Sequence, residues 1–131
     1  MDKPPRRAPT RHQRVEIGFL EAIRNRNPNH RLTLEALGDL YTRTGQFESG
    51  LRVDLELTRR YPDEPVLWYN LGCSRALVGQ HEEALAALAR SVDLGYSDGD
   101  WMSHDRDLVT LHNDPRFAQL VQRAGSARPR A

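Results

Sequence analysis

Acidic and histidine side chains are concentrated towards the C-terminal end of the chain, where they raise the question of a metal site. The group consists of Asp98, Asp100, His104, Asp105, Asp107, His112 and Asp114. Its spacing is unlike a calcium loop, which needs alternating oxygen ligands, a glycine and a distant glutamate. The histidines lie outside the HExxH pattern of zinc enzymes. Because Asp is a common N-cap residue, we expect these carboxylates to cap helices and turns rather than bind a metal.

Nucleophilic catalysis finds little support either. Cys73 is the single cysteine, and the sequence has no Gly-rich phosphate loop and no Gly-x-Ser-x-Gly turn. The remaining histidines are scattered along the chain at His12, His30 and His81. We therefore expect no catalytic residue, no cofactor and no metal ion, which means that the sequence predicts a protein other than an enzyme.

The elements that would position a functional site recur at an interval of 34 residues. The recurring pairs are Pro28 and Pro62, Leu37 and Leu71, Gly38 and Gly72, Gly45 and Gly79, Gln46 and Gln80, and Leu51 and Leu85. Such a period is typical of stacked helical hairpins, which present binding surfaces. The sequence therefore predicts an all-α fold.

Apolar spacing and breaker residues predict the individual helices. The first covers about residues 12–27 and ends before Pro28. The second opens at Arg31 or Thr33 and ends at Gly45, and the third runs from Gln46 to the Tyr61-Pro62 pair. Pro65 begins another hairpin that turns at Gly79.

The strongest repeat unit is Trp68-x-x-Leu71-Gly72, which is followed by Gly79, Ala84, Leu88 and Ser91. Over residues 65–98 this pattern resembles the tetratricopeptide repeat family. Residues 31–64 match more loosely, and residues 14–30 resemble the second half of a preceding repeat, so that the repeats cover 14–98. The looser match is carried by Leu34, Leu37, Gly38, Tyr41, Gly45, Phe47, Gly50 and Pro62. The resemblance implies a short right-handed superhelix of antiparallel helix pairs, a solenoid that acts as an adaptor or scaffold.

The repeat pattern fails after residue 98. Trp101 and the segment from Asp105 to Leu120 resemble the end of the repeat array in some bacterial tetratricopeptide proteins. Asp105 and the Asp114-Pro115 pair are suitable helix starts, and an apolar stripe follows them. We therefore expect residues 99–124 to form capping helices over the last repeat.

The family resemblance implies a concave groove lined by the first helix of each hairpin, where a partner's peptide or helix binds. Expected groove residues are Glu35, Asp39, Thr42, Arg43, Tyr69, Asn70, Cys73 and Leu77. Some family members hold a C-terminal carboxylate with paired basic and Asn side chains, but here Glu35 and Asp39 would repel one. The hypothesis is that the groove prefers a segment with a basic residue beside an apolar one. Two alternatives stay open: a solvated charged face, or a groove filled by the protein's own tail.

Two charged residues depart from the repeat pattern. Asp54 stands where neighbouring units have Leu20 and Leu88, and Arg75 stands where Tyr41 stands one repeat earlier. These positions usually exchange apolar contacts between hairpins. We therefore expect Asp54 and Arg75 to form a partly buried ion pair, with two solvent-exposed side chains as the alternative.

The net charge of +1 conceals basic ends around an acidic body. We expect residues 1–13 and 125–131 to be disordered basic tails, because prolines and arginines cannot pack a core. The tails leave nucleic-acid or anionic-surface association as an alternative function, although no aromatic residue is interleaved with the arginines. Self-association through Phe19 and Leu20 is a further alternative to a monomer. With one cysteine and no apolar run of about 20 residues, the expected location is the cytoplasm.

Overall fold

A computed structural model describes residues 6–126 of the chain, and every regular element within that range is helical. The all-α class is therefore confirmed. The elements are α1 (Arg11–Arg26), α2 (Arg31–Arg43), α3 (Phe47–Arg60), α4 (Pro65–Leu77), α5 (His81–Asp93), α6 (Gly99–His104), a 3-10 helix (Arg106–Leu111) and α7 (Pro115–Ser126).

Local sequence signals account for where the helices begin. Thr10 and Gln13 form a capping box at the start of α1, in which each side chain bonds the other residue's backbone N–H. The His30 ring accepts a bond from the Thr33 N–H at the start of α2. Pro65 occupies the first turn of α4, where a missing N–H costs nothing.

Glycines in the left-handed region end three of the helices. Gly45, Gly79 and Gly95 have φ values of 78°, 84° and 112°. At Gly45, the next residue donates its N–H to the Tyr41 carbonyl and Gly45 donates to the Thr42 carbonyl, which is the Schellman arrangement. The recurrence of Gly45 as Gly79 in the sequence therefore marks a repeated way of ending a helix.

Consecutive helices from α1 to α5 pack against one another, so the arrangement is repeat-like. Leu34, Leu37 and Leu57 lie in the core shared by the first helices. Leu51, Leu71 and Ala87 form a smaller cluster between α3, α4 and α5. An added Cβ at Gly72 would lie 2.7 Å from Leu88, so α4 and α5 approach closely at a position where the sequence has no side chain.

The C-terminal helices cover the far side of the α4–α5 pair. Met102, Leu108 and Phe117 are buried in one cluster with Leu85 and Leu88 of α5. The 3-10 helix contacts α4, and α7 contacts α5 and α6. This packing buries α5 side chains that would otherwise face water, and it brings Asp105 and Asp107 next to α4.

The two predicted tails fall partly within the described residues. The predicted tail positions 1–5 and 127–131 lie outside the described residues. Helix α1 starts at Arg11, before the predicted end of the first tail at residue 13, and α7 continues to Ser126. None of the helices between residues 6 and 126 combines the length and apolar character that a bilayer crossing requires.

Candidate binding groove

A hollow with a volume of about 440 Å³ lies between α2 and α4. Helix α2 lines it with Arg31, Glu35, Gly38, Asp39, Thr42 and Arg43. Helix α4 contributes Val66, Leu67, Asn70, Cys73 and Ser74. Asp54 and Leu57 of α3 lie between these two helices. Arg106 and Asp107, from the 3-10 helix, close one end of the hollow. We call this hollow the groove.

Six of the eight expected groove residues line the groove: Glu35, Asp39, Thr42, Arg43, Asn70 and Cys73. Tyr69 is buried instead, because its side chain points towards the C-terminal helices. Its ring stacks on Tyr96 with centroids 4.4 Å apart, and its hydroxyl donates to Asp105. Leu77 is half-buried in the last turn of α4 and is absent from the groove lining.

Charged side chains at the rim of the groove are joined to one another. Both terminal nitrogens of Arg31 donate to Glu64, at 2.6 and 2.7 Å, and its Nε donates to Glu35 at 2.8 Å. Its guanidinium also lies 4.5 Å above the Tyr61 ring. The hydrogen bond from Arg31 lowers the pKa of Glu64. Because these side chains are partly exposed, their ion pairs contribute little to stability, and the rim is a surface of mixed charge.

Asp54 lies deeper and does not form the expected ion pair with Arg75, so that prediction was wrong. Its Oδ2 accepts a hydrogen bond from the Ser74 hydroxyl, and the side chain faces the groove. Arg75 donates instead to Gln80 and lines a shallow hollow with Arg52 and Trp68. Asp54 and Arg75 therefore lie on different surfaces of the protein. On the groove side, the α4 side chain that reaches Asp54 of α3 is Ser74 and not Arg75.

Arg6 lies in the groove and pairs with Asp107. The Asp107 side chain is 2% exposed and that of Arg6 is 26% exposed. The Arg6 guanidinium carbon also lies 5.2 Å from the centre of the Phe47 ring. Burial lowers the pKa of Arg6, and the positive charge of Arg106 lowers it further. One residue of the chain's own N-terminal segment thus lines part of the groove.

A buried hydrogen-bond network supports the C-terminal end of the groove. Asp105 is almost fully buried, and its Oδ2 accepts a bond of 2.8 Å from Tyr69 and a longer contact of 3.7 Å from the Cys73 thiol. Its Oδ1 accepts from the Asp107 N–H at 3.0 Å. Burial raises the pKa of Tyr69, and the adjacent Asp105 raises it further. The phenol therefore stays protonated as a donor.

Carboxylates of the C-terminal region act mainly as caps. Asp98 accepts from the Trp101 N–H at 2.9 Å, and Asp114 accepts from the Arg116 N–H at 2.9 Å. Cys73, Asp105 and Asp107 have potential ligand atoms within 4.8 Å of one another and are the residues that could offer one sulfur and two oxygens to a metal ion. In this structure Tyr69 donates a hydrogen bond to Asp105, and Arg6 forms an ion pair with Asp107.

The groove contains residues that sequence reasoning missed, above all Arg6, Asp107 and Glu64. Glu64 lies 33 residues after its partner Arg31, which is close to one repeat period. That offset is a usable signal, because residues one repeat apart face each other in stacked hairpins. No comparable sequence offset points to Arg6, which was predicted to lie in a disordered tail.

Comparison with known proteins adds no family assignment. No protein-family model matches the chain, and the curated proteins contain no sequence that matches it.

Proposed function

We propose that this protein is a binding module of the tetratricopeptide-repeat type, whose groove takes an extended protein segment carrying a basic residue beside an apolar one. It is an adaptor or scaffold rather than an enzyme. The observation that carries the proposal is the guanidinium of Arg6, which lies in the groove against the buried carboxylate of Asp107. The chain itself thus supplies an example of the ligand chemistry.

The distribution of charge between the inside and the rim of the groove favours a basic ligand. Asp54 and Asp107, the buried charged residues that line the groove, are both carboxylates. The arginines Arg31 and Arg43 lie at the rim and bond Glu64 and Asp39 respectively. A cation that reaches into the groove is therefore attracted by the acidic groups below, where water screens charge least.

Apolar side chains line the same groove as these carboxylates. Val66 is 57% exposed although it lines the groove, and the lining also includes the buried Leu57 of α3 and Leu67 of α4. A ligand side chain placed on Val66 would remove apolar surface from water, which contributes roughly 25 cal/mol for each Å² buried. This is the reason for expecting an apolar residue next to the basic one.

The repeat type is supported by packing at the positions that carry the resemblance. Gly72 of the Trp68-x-x-Leu71-Gly72 unit is the point where α4 meets Leu88 of α5. Gly45 and Gly79 end the first helix of each hairpin with the same backbone arrangement. Both hairpins would then present their first helices to one groove.

The proposal is tested by titrating the whole 131-residue chain with labelled short peptides that differ at one position. One peptide carries Arg-Leu at its centre, another Asp-Leu and a third Arg-Ser. We expect the Arg-Leu peptide to bind tightest, measured by fluorescence anisotropy. Equal binding of the three peptides, or preference for the Asp-Leu peptide, would contradict the proposal.

Substitutions in the protein locate the binding. Asp39→Asn removes a rim carboxylate and frees Arg43, so we expect binding of the Arg-Leu peptide to weaken by about two- to fivefold, as for an exposed ion pair. Val66→Ser should weaken binding of the Arg-Leu peptide more than binding of the Arg-Ser peptide. Asp63→Asn is the matched control, because Asp63 is exposed and absent from the groove lining.

Self-association is a second candidate function, supported by exposed apolar side chains on α1. Val15 and Phe19 are each 66% exposed, and their spacing puts them on the same side of the helix. Leu20, the other residue expected there, packs against the core instead. Sedimentation velocity at two concentrations tests it: a dimer that Phe19→Ser converts to monomer would support self-association, and a concentration-independent monomer would exclude it.

A further inference from the structure

We infer that the Asp107 end of the groove is a binding position for an arginine side chain, held in the free protein by Arg6 and taken over by an arginine of the partner. This inference rests on the proposed function, because it names the residue that the groove recognises. It goes further by assigning a site, a ligand class and a competitor within the same chain.

The contacts favour a guanidinium over an ammonium group. Asp107 offers a carboxylate that is 2% exposed, and the Phe47 ring lies 5.2 Å from the guanidinium carbon of Arg6. A planar guanidinium can face a carboxylate with its edge while its flat surface lies against an aromatic ring. A lysine ammonium is more strongly hydrated and presents no flat surface, so it gains less from the same position.

The segment that delivers Arg6 is tethered close to the groove. The Pro9 carbonyl accepts a bond of 2.9 Å from Arg14, and the Thr10 side chain caps α1. Only three residues separate Thr10 from Arg6, and two of them, Arg7 and Ala8, are exposed. Such a short connection keeps Arg6 at a high local concentration, in the millimolar range for short linkers, so it competes with any ligand from outside.

The same contacts leave Arg6 replaceable. Of the described N-terminal segment, residues 6–10, Arg6 alone lines the groove. The neighbouring Arg106 carries the same charge and opposes the Arg6 charge. A partner segment that contacts Asn70 and Val66 as well as Asp107 makes interactions that the Arg6 side chain by itself does not make. It would gain the Asp107 contact only by displacing Arg6.

Binding in trans tests the competition. A labelled peptide with the sequence of residues 2–10 is titrated into the wild-type 131-residue chain and into its variants Arg6→Gln and Arg7→Gln. We expect Arg6→Gln to bind it about tenfold more tightly than wild type, because the internal competitor is gone. Arg7→Gln is the matched control and should behave as wild type. For a peptide with Lys in place of its Arg6, the difference in affinity between the Arg6→Gln variant and wild type should be much smaller.

Limited trypsin digestion tests the internal contact without any ligand. In wild type, cleavage after Arg6 should be slower than cleavage after the exposed Arg7, as quantified by mass spectrometry of early products. Asp107→Asn should raise the ratio of Arg6 cleavage to Arg7 cleavage. Circular dichroism checks that this variant folds. If it does not, the Arg6→Lys variant provides the comparison, since its weaker contact should also raise cleavage after residue 6 relative to residue 7.

The results separate this inference from the proposed function. If the Arg-Leu peptide binds the groove but Arg6→Gln gives no gain, the proposed function stands and the inference is wrong. If cleavage after Arg6 is not slowed in wild type, the internal contact is absent and the inference is also wrong. If protection depends on Asp107 but no arginine peptide binds any variant, both the arginine site for partners and the proposed function fail.

Discussion

The hydroxyl of Tyr69 donates a hydrogen bond of 2.8 Å to Asp105, which lies 36 residues further along the chain. The other oxygen of Asp105 accepts from the backbone N–H of Asp107. One buried carboxylate therefore joins α4 to the 3-10 helix and fixes the position of Asp107 at the end of the groove. The stability of the fold and the geometry of the proposed site depend on the same contact.

Replacing Tyr69 with Phe should lower the free energy of unfolding by about 1–3 kcal/mol, because Asp105 loses a donor in a site where water cannot replace it. Urea unfolding measures the change. Tyr61→Phe is the control, since that ring is half-buried under Arg31 and its hydroxyl lies outside this network. Losses of the same size in both variants would show that the Tyr69–Asp105 bond contributes nothing particular.

Alanine substitutions at four glycines should differ in sign according to the space available. Gly99→Ala would place its Cβ 2.6 Å from the Val121 carbonyl oxygen, and Gly72→Ala would place it 2.7 Å from Leu88. We expect each to cost about 1–3 kcal/mol through overpacking. Gly18→Ala meets nothing within 4 Å in an exposed part of α1 and should stabilise the protein by about 0.5–1 kcal/mol.

Gly38 is the position in the first repeat that corresponds to Gly72 in the second, so Gly38→Ala compares the two repeats in the same experiment. Its nearest contacts would be 3.4 Å from Asp54 and Val53, which is ordinary packing. The gain in helix propensity should therefore offset any loss, and the net change should stay within about 0.5 kcal/mol of zero. Thermal unfolding of the four variants gives the order of stability, and a Gly38→Ala variant as unstable as Gly72→Ala would contradict the wider spacing of α2 and α3 at Gly38.

The parts of the fold that were predictable from sequence are those with local causes. Gly45 and Gly79 end helices through backbone conformations that glycine adopts easily, and Asp98 and Asp114 cap the elements that follow them. The family resemblance, together with helix spacing, also placed Asn70 and Cys73 in the groove lining. The inferences about turns and caps need only the residues within one or two helical turns.

The parts that were missed depend on the direction of single side chains between distant elements. Tyr69 precedes Asn70 by one residue, yet one points at Asp105 and the other into the groove. Successive side chains of α4 point in different directions around the helix axis. Ser74 therefore reaches Asp54, and the next residue, Arg75, does not. The place of Arg6 depends on a contact with a residue 101 positions later, which no local pattern encodes.

Double-mutant cycles should find coupling between Asp54 and Ser74 and none between Asp54 and Arg75. The Ser74 hydroxyl donates to a carboxylate that is 8% exposed, and hydrogen bonds to charged groups contribute about 1.5–3 kcal/mol. The cycles use Asp54→Asn with Ser74→Ala, and Asp54→Asn with Arg75→Gln, each read by urea unfolding. Coupling confined to the Arg75 cycle would mean that the contacts described for α4 are wrong.

Raising the pH from about 10 to about 12 should destabilise the protein through Tyr41. Its hydroxyl donates to Glu21 at 2.5 Å, and burial, together with Glu21, raises its pKa to about 12 from a value of 10.0. Between these values the unfolded chain releases the phenol proton while the folded chain keeps it. The unfolded state then binds fewer protons, so the free energy of unfolding falls as the pH rises, by on the order of 2 kcal/mol for this group.

Tyr41→Phe tests this dependence, because it removes the titrating group but keeps the ring. Urea unfolding at pH 9.5 and pH 11.5 should show a smaller loss in the variant than in wild type, by roughly 2 kcal/mol. Some loss should remain, because burial also raises the pKa of Tyr96 to about 12. Glu21→Gln should give an intermediate result, since it removes the negative charge near Tyr41 and leaves the burial, which is the larger cause. Equal losses in wild type and Tyr41→Phe would show that this phenol ionises alike in the folded and unfolded chain.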